Sequence, residues 1–153
     1  MPDDAPSLPS RDFTVSTLVV WRDCLLLHRH KKLGRYLPCG GHIEANELPD
    51  EAACRETLEE SGVPIVLVGE RALELDEPRQ LVRPRGVQLE TIYPGHQHID
   101  LIYLARPVAG YDGFLLESDP SLGWFDAEAL ARLELDAEMQ QWAALALLEL
   151  ADA

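Results

Sequence analysis

Residues 40–63 read GGHIEANELPDEAACRETLEESGV, and this stretch decides how the rest of the chain is interpreted. The glycine pair at its start permits a tight turn and a close approach of the backbone to a ligand. Pro49 and the acids that follow it are typical of the first turn of a helix, and Gly62, with Pro64 beyond it, is typical of a helix end. The stretch therefore predicts a loop, then a helix, and then a stop.

The predicted helix separates small side chains from acidic ones. At about 100° per residue, one side holds the residues that would pack on a core: Ala53, Cys54, Thr57, Leu58 and Ser61. Glu56, Glu59 and Glu60 fall on the opposite side, where neighbouring like charges repel by roughly a few tenths of a kcal/mol per pair. Two interpretations fit this acidic face: a solvated helix surface, or a site for a divalent cation such as Mg²⁺, which prefers oxygen ligands. The glycine loop that enters the helix favours the cation.

The spacing of these residues resembles the Nudix box, the signature of a family of hydrolases. Gly41 is followed after five residues by Glu47, and after seven more by Arg55 and the segment ETLEESGV. Thr57 stands where the family has a bulky aliphatic residue. The resemblance implies an α+β protein with the Nudix-type α/β/α sandwich and its mixed β-sheet. It also implies a Mg²⁺-dependent pyrophosphohydrolase that cleaves a nucleoside diphosphate linked to another moiety, with water attacking phosphorus.

The resemblance assigns roles to the matching residues. The metal, Mg²⁺ or Mn²⁺, would be bound by a backbone carbonyl and three carboxylates: those of Gly41, Glu56, Glu59 and Glu60. Glu47 and Arg55 would form an ion pair that orients the helix and its carboxylates. Glu59 or Glu60 would also orient or deprotonate the attacking water.

One further metal ligand or base is expected from outside the box. Glu117 is the first choice, because it lies on a loop that resembles the place where many Nudix hydrolases supply an extra carboxylate. Glu90 is the alternative, and a plain surface acid is the competing interpretation of Glu117.

Residues 28–36, HRHKKLGRY, form a dense basic segment in an acidic chain. Because this segment leads directly into the glycine pair, we expect it to contact substrate phosphates, although a solvated hairpin end is the alternative. Arg29 and Arg35 are favoured over Lys31 and Lys32, since an Arg side chain can bind a phosphate through two hydrogen bonds. Tyr36, at the end of the segment, is a candidate for stacking on a nucleobase.

His96, His98 and Asp100 alternate along a predicted strand and therefore share one of its faces. A zinc site would need a fourth ligand and a partner motif, and neither is evident in the sequence. We therefore expect these residues to line the substrate pocket, with His98 contacting the substrate, or to lie on a polar sheet face.

The order of the predicted elements is strands, one helix, more strands, and then helices, which suits an α+β protein. They are a hairpin of strands at 13–21 and 24–28, the box helix, strands at 65–75, 87–93, 96–105 and 114–117, and helices at 126–133 and 136–150. The last helix is apolar enough to pack on the core or on a second copy of the chain, which leaves a homodimer open. We expect a single domain over residues 12–153, preceded by a flexible tail of residues 1–11.

Composition narrows the class of protein and its partners. The 153 residues carry a formal charge of -14, which argues against nucleic acid as a partner but not against a small nucleotide. Three cysteines without a CxxC pair indicate a reducing compartment. The polar start of the chain does not resemble a signal peptide, and no apolar run approaches the roughly 18 residues of a membrane span. We therefore expect a cytoplasmic protein without a membrane partner.

Three functions compete at this point. The first is a pyrophosphohydrolase acting on a nucleoside triphosphate, ADP-ribose or a nucleotide sugar. The second is an isopentenyl diphosphate isomerase-like enzyme that uses Cys39 as acid or base. The third is a non-catalytic nucleotide-binding module of the same fold. The complete set of box glutamates favours the first.

Overall fold

The computed structural model describes residues 7–152. Its elements are β1 (Ser10–Trp21), β2 (Cys24–Arg29), β3 (Tyr36–Leu37), β4 (Cys39–His42), α1 (Pro49–Ser61), β5 (Ile65–Val68), β6 (Gly86–Tyr93), β7 (His96–Pro107), β8 (Gly123–Phe125), α2 (Ala127–Arg132) and α3 (Ala137–Glu149). None of the helices within the described residues is long and apolar enough to cross a bilayer.

The strands form a mixed sheet around the long parallel pair β1 and β7, whose register runs from Ser10 opposite His96 to Val19 opposite Ala105. On the far side of β7, β6 pairs antiparallel with the first half of that strand and β5 with its end. On the far side of β1, β4 pairs antiparallel with its middle and β2 with its end. This mixed sheet confirms the predicted fold class.

Side-chain alternation along β1 supplies a core to each face of the sheet. Leu18 and Val20 pack with residues of α2 and α3. Val15 and Val19 point the other way, and Val15 packs with Ala53 of α1. Because successive strand residues point to opposite faces, both faces need a helical cover. The result is the predicted α/β/α sandwich.

The box helix α1 is delimited by its own sequence. Pro49 occupies its first turn, and Gly62 ends it in the left-handed conformation (φ 79°), with its N–H donating to the carbonyl of Leu58 at 2.9 Å. The Thr57 hydroxyl is buried and donates to the Ala53 carbonyl at 2.8 Å, so this residue fills an apolar position without an unpaired hydroxyl. Leu58, predicted on the packing side, is 50% exposed because it lies at the edge of that arc.

Strand β5 is shorter than the predicted strand at residues 65–75. It pairs with β7 only from Ile65 to Val68. Beyond that point β6 takes the same edge of β7, beginning with Gly86 opposite Ile102. Since one edge can pair with only one strand at a time, residues 69–75 leave the sheet.

Two further expectations need correction. Residues 114–117 form no strand; instead the Leu116 N–H donates to the Ser61 carbonyl at 3.0 Å, which attaches this segment to the end of α1. At the other end of the chain, β1 begins at Ser10, so residues 10 and 11 of the predicted flexible tail belong to the sheet. Residues 1–6 of that tail lie outside the described part of the chain.

The predicted hairpin is confirmed, and each of the two later helices begins at an aspartate. Arg22 and Asp23 connect β1 to β2 with φ of 50° and 57°, the left-handed conformation that a two-residue hairpin turn requires. Asp126 and Asp136 accept backbone N–H groups at the starts of α2 and α3, at 2.8 and 2.9 Å. These caps fix where the two helices begin.

Candidate active site

A cavity of about 480 Å³ lies on the α3 side of the sheet. Its lining comes from β1, β6 and β7, from α3, and from β4 together with the last turn of α1. The polar lining residues include Thr14, Ser16, His28, Glu60, Glu90, His98 and Asp100, and the apolar ones include Met139 and Trp142. A concave site with a few converging polar groups is the usual form of a small-molecule site.

The three box glutamates differ in exposure. Glu60 lines the cavity and its side chain is 27% exposed, whereas Glu59 is 60% exposed. Glu60 Oε1 accepts the Gly40 N–H at 3.0 Å. Burial raises the pKa of Glu60 to about 7 against the effect of that hydrogen bond, and the neighbouring Glu56 and Glu59 raise it further. The structure therefore brings a proton-accepting carboxylate to the cavity at near-neutral pH.

The glycine pair in β4 is required by what packs against it. A Cβ on Gly41 would lie 2.5 Å from Glu56 Oε1, and a Cβ on Gly40 would collide with the Val15 carbonyl. Glycine at position 41 thus lets the Glu56 carboxylate lie directly against the β4 backbone. This contact explains in physical terms why two glycines stand here in β4, a strand where the sequence predicted a loop.

Arg55 connects the helix to the loop that precedes it. Its Nε and Nη2 donate to both carboxylate oxygens of Glu47 at 2.7 and 2.9 Å, so the predicted ion pair is present. Its Nη1 donates to Glu56 at 2.9 Å and to Glu59 at 3.2 Å, and its Nη2 also reaches the His42 carbonyl at 3.1 Å. Hydrogen bonds from Arg55 hold the pKa of Glu47 below its usual range. One guanidinium therefore fixes two of the box carboxylates relative to β4.

His28 and Asp119 belong to the site and were not predicted. The Nε2 of buried His28 lies 3.2 Å from Glu60 Oε2, and its Nδ1 lies 3.6 Å from Asp119 Oδ2. Burial lowers the pKa of His28, although Asp119 opposes that shift. Alternation along β2 places His28 on the same strand face as Leu26, which packs on the α1 side, but the sequence does not show that this face meets Glu60.

On the loop expected to supply an extra carboxylate, the acid that lies beside His28 is Asp119 rather than Glu117. Glu117 is exposed and has no hydrogen bond or ion pair to any residue in the range 7–152. Asp119, two positions later, is held by the Ser121 backbone N–H at 3.0 Å and faces His28. Glu90 lines the cavity but is paired with Arg35 at 2.8 Å.

The four residues expected to bind substrate do not lie together. Arg35 and His98 line the cavity, and the Arg35 guanidinium is held between Glu90 and Asp136, each at 2.8 Å. Arg29 is exposed, donates to the Gly34 carbonyl at 3.1 Å, and is not a lining residue. Tyr36 is also outside the lining; its ring packs edge-on against Phe125, with centroids 5.6 Å apart.

The basic segment also lines the cavity with Lys32, which was ranked below the arginines. Cys39 is fully buried, and burial raises the pKa of its thiol.

Trp142 packs against the core and also contributes to the cavity wall.

Known proteins resemble this chain in sequence and in fold. The family model described as NUDIX domain matches residues 11–147. A solved hydrolase of the NUDIX family from Clostridium perfringens is 34% identical, with a TM-score of 0.78 over 92% of this chain and 99% of that one. An Ap4A hydrolase from C. elegans is 17% identical (TM-score 0.63, 89% and 98% coverage), and a UDP-X diphosphatase is 17% identical (TM-score 0.64, 97% and 67% coverage). At that identity the last two show the fold alone.

Proposed function

The chain belongs to the Nudix hydrolase family, and from this premise we propose that it is a Mg²⁺-dependent pyrophosphohydrolase. The substrate is a nucleoside diphosphate linked to another moiety: a nucleoside triphosphate, ADP-ribose or a nucleotide sugar. Water attacks one phosphorus of the diphosphate, and the anhydride bond on the other side of that phosphorus breaks.

The observation that carries this proposal is the Glu60 carboxylate at the cavity, next to Glu56 and on the same helix face. Glu56 and Glu59 lie near enough to raise the pKa of Glu60, and a divalent cation would offset this repulsion. The donors that would hold the ion are all oxygens: the carboxylates of Glu56, Glu59 and Glu60 and the Gly41 carbonyl. Oxygen donors suit Mg²⁺ or Mn²⁺ better than a softer metal.

The residues of the site then have separate roles in the reaction. When bound, the ion offsets the charge that develops on the diphosphate. Arg55 holds Glu47, Glu56 and Glu59 in fixed positions, which is a positioning role. Glu60 accepts the proton of the attacking water, because its side chain lines the cavity and Glu59 is the more exposed carboxylate.

Positive charge for the phosphates is available at the same cavity. Lys32 is an exposed cation of the lining, and Arg35 lies there between two acids. His98 lines the cavity as well and offers a further hydrogen-bonding group for the substrate. Because the lining also holds Glu60, Glu90, Asp100 and Glu138, an anionic substrate depends on the metal ion as well as on these cations for charge compensation.

The experiment is a substrate panel read by phosphate release, with and without Mg²⁺, on the parent protein and on Glu60→Gln. Glutamine keeps the shape and the acceptor for the Gly40 N–H but removes the charge and the base. We expect turnover to fall by about 10²-fold or more. Glu51→Gln is the matched control, because Glu51 is an exposed acid in the first turn of the same helix. Normal hydrolysis by Glu60→Gln, or equal losses in the two variants, would contradict the proposal.

The competing functions have no observation in their favour. Cys39 is buried and is not a lining residue of the cavity, so an isomerase that uses this thiol lacks access to substrate. A non-catalytic module is opposed by the complete set of box acids. Metal-dependent phosphate release by the parent protein distinguishes the hydrolase from both.

We also propose that the protein works in the cytoplasm, where its three cysteines remain free. Its partner is a small nucleotide, with neither nucleic acid nor membrane involved. A homodimer through α3 stays a prediction, because a single exposed leucine such as Leu148 is ordinary on a helix surface. Light scattering of the purified protein tests the dimer.

A further inference from the structure

Three adjacent strands bring a second group of metal-binding side chains together. Asp12 of β1 lies directly opposite His98 of β7, and Ser10 lies opposite His96. His42 of β4 lies opposite Thr14, two residues from Asp12 along β1. The strand register thus joins Asp12, His42, His96 and His98, which the sequence separates.

The distances within this Asp12/His42/His96/His98 cluster suit a shared ion. His42 Nε2 lies 3.1 Å from Asp12 Oδ2, and His96 Nε2 lies 3.4 Å from the same oxygen. One ligand atom each from Asp12, His42 and His98 lie within 4.8 Å of one another. Ligand atoms on a tetrahedral zinc ion, with bonds of about 2.1 Å, are about 3.4 Å apart. Asp12, His42 and His98 therefore supply the shared position, and His96 adjoins it through its contact with Asp12.

The surroundings of the cluster orient its imidazoles. The Ser10 hydroxyl lies 2.8 Å from His96 Nδ1, which leaves Nε2 directed at Asp12. Tyr93 stacks on the His96 ring with centroids 5.0 Å apart. A hydrogen bond to the second ring nitrogen is the usual support of a metal-binding histidine. His96 is only 13% exposed, whereas His42 is 59% exposed, so the cluster has a fixed side and an open side.

The donor set differs from that of the box. Imidazoles suit zinc, nickel, copper and cobalt, while Mg²⁺ prefers oxygen. Burial, followed by the neighbouring His42 and His96, lowers the pKa of His98, which favours the neutral imidazole that binds metal. The adjacent Asp100 is not a free ligand, because its carboxylate accepts the hydroxyls of Thr14 at 2.9 Å and Ser16 at 2.7 Å.

We propose that Asp12, His42, His96 and His98 bind a transition-metal ion of the zinc class, at a site separate from the box carboxylates. His42, His96 and His98 line the same cavity as Glu60, so the ion lies within that cavity's wall.

The test measures zinc binding directly, without substrate. Zn²⁺ is titrated into the full chain in excess Mg²⁺, and binding is followed by calorimetry and by NMR of the histidine ring nitrogens. We expect a stoichiometry of one, with shifts at His42, His96 and His98. His42→Gln/His98→Gln should weaken binding by about 10²-fold or more, since loss of a mere supporting partner already costs about 10–100-fold.

His30→Gln is the matched control, because His30 is a partly buried histidine outside the cluster and should leave zinc affinity unchanged. Thermal melts in Mg²⁺ alone verify that every variant is folded. Zinc affinity that survives the double substitution would overturn the proposal. Ring shifts confined to His28 would also overturn it, because they would place zinc at the other close group, His28, Cys39 and Glu60.

Discussion

Replacing Gly41 with alanine displaces one carboxylate of the proposed Mg²⁺ site and leaves the backbone unstrained. The new Cβ would lie 2.5 Å from Glu56 Oε1 and 2.6 Å from its Cδ, whereas ordinary contacts begin near 3.4 Å. Glu56 must therefore withdraw by about 0.9 Å, which also stretches its hydrogen bond from Arg55. A misplacement of about 1 Å in a catalytic site can cost about 10²-fold in rate.

The assay for Gly41→Ala combines turnover, Mn²⁺ affinity measured by EPR, and thermal unfolding. We expect kcat/KM to fall by about 10²-fold and Mn²⁺ affinity to weaken. The free energy of unfolding should change by no more than about 1 kcal/mol, because the displaced atoms are the end of a flexible side chain.

A second substitution shows whether the effect of Gly41→Ala passes through Glu56. In a Glu56→Ala background the methyl group has nothing to displace, so Gly41→Ala should have no further effect on Mn²⁺ affinity. Parent-like hydrolysis by Gly41→Ala would refute the reasoning. So would an equal loss of Mn²⁺ affinity in both backgrounds.

Three further predictions follow from the same contacts. Glu47→Gln should lower the free energy of unfolding by about 1–2 kcal/mol and reduce kcat, because Arg55 loses a charged partner for two hydrogen bonds; unchanged urea unfolding would contradict this. Without divalent cation, stability should fall as pH rises from about 4.5 to about 7, because folding raises the pKa of Glu60 from 4.5 to about 7 and the folded state binds the extra proton. The loss is at most on the order of 3 kcal/mol, should shrink in Mg²⁺ and in Glu60→Gln, and is measured by urea titration at each pH. Asp119→Asn should lower turnover more than Glu117→Gln, because only Asp119 faces His28; the reverse order would assign the loop's role to Glu117.

Local sequence patterns predicted the parts of the site that lie close together in the chain. The helix α1, its Gly62 end and the Glu47–Arg55 ion pair depend on residues within one loop and one helix, so spacing alone indicates them. The strand at 65–75 was predicted too long for the opposite reason. Its end depends on β6, which takes over the edge of β7 and is distant in sequence.

Residues that reach the site through strand pairing could not be predicted from local sequence patterns. His28 faces Glu60 because β2 lies beside β1 and β4 carries Gly40 past the last turn of α1. Asp119 faces His28 because β8 pairs with β2. Tyr36 was predicted to stack on a nucleobase, whereas its ring packs against Phe125. Its position at the end of the basic segment gave no indication of that contact.

The same distinction explains why a zinc site was rejected on sequence grounds and is proposed on structural grounds. Alternation correctly placed His96 and His98 on one face of β7, but a strand offers its ligands in a line, and a tetrahedral ion needs them from several directions. The parallel register of β1 and β7 adds Asp12 from one side, and the antiparallel pairing of β4 adds His42 from beyond β1. A metal site of this kind is a property of three strands at once, whereas the box carboxylates are a property of one helix. Residue spacing within the chain can therefore reveal the carboxylates of one helix, but it cannot reveal a site that three strands assemble.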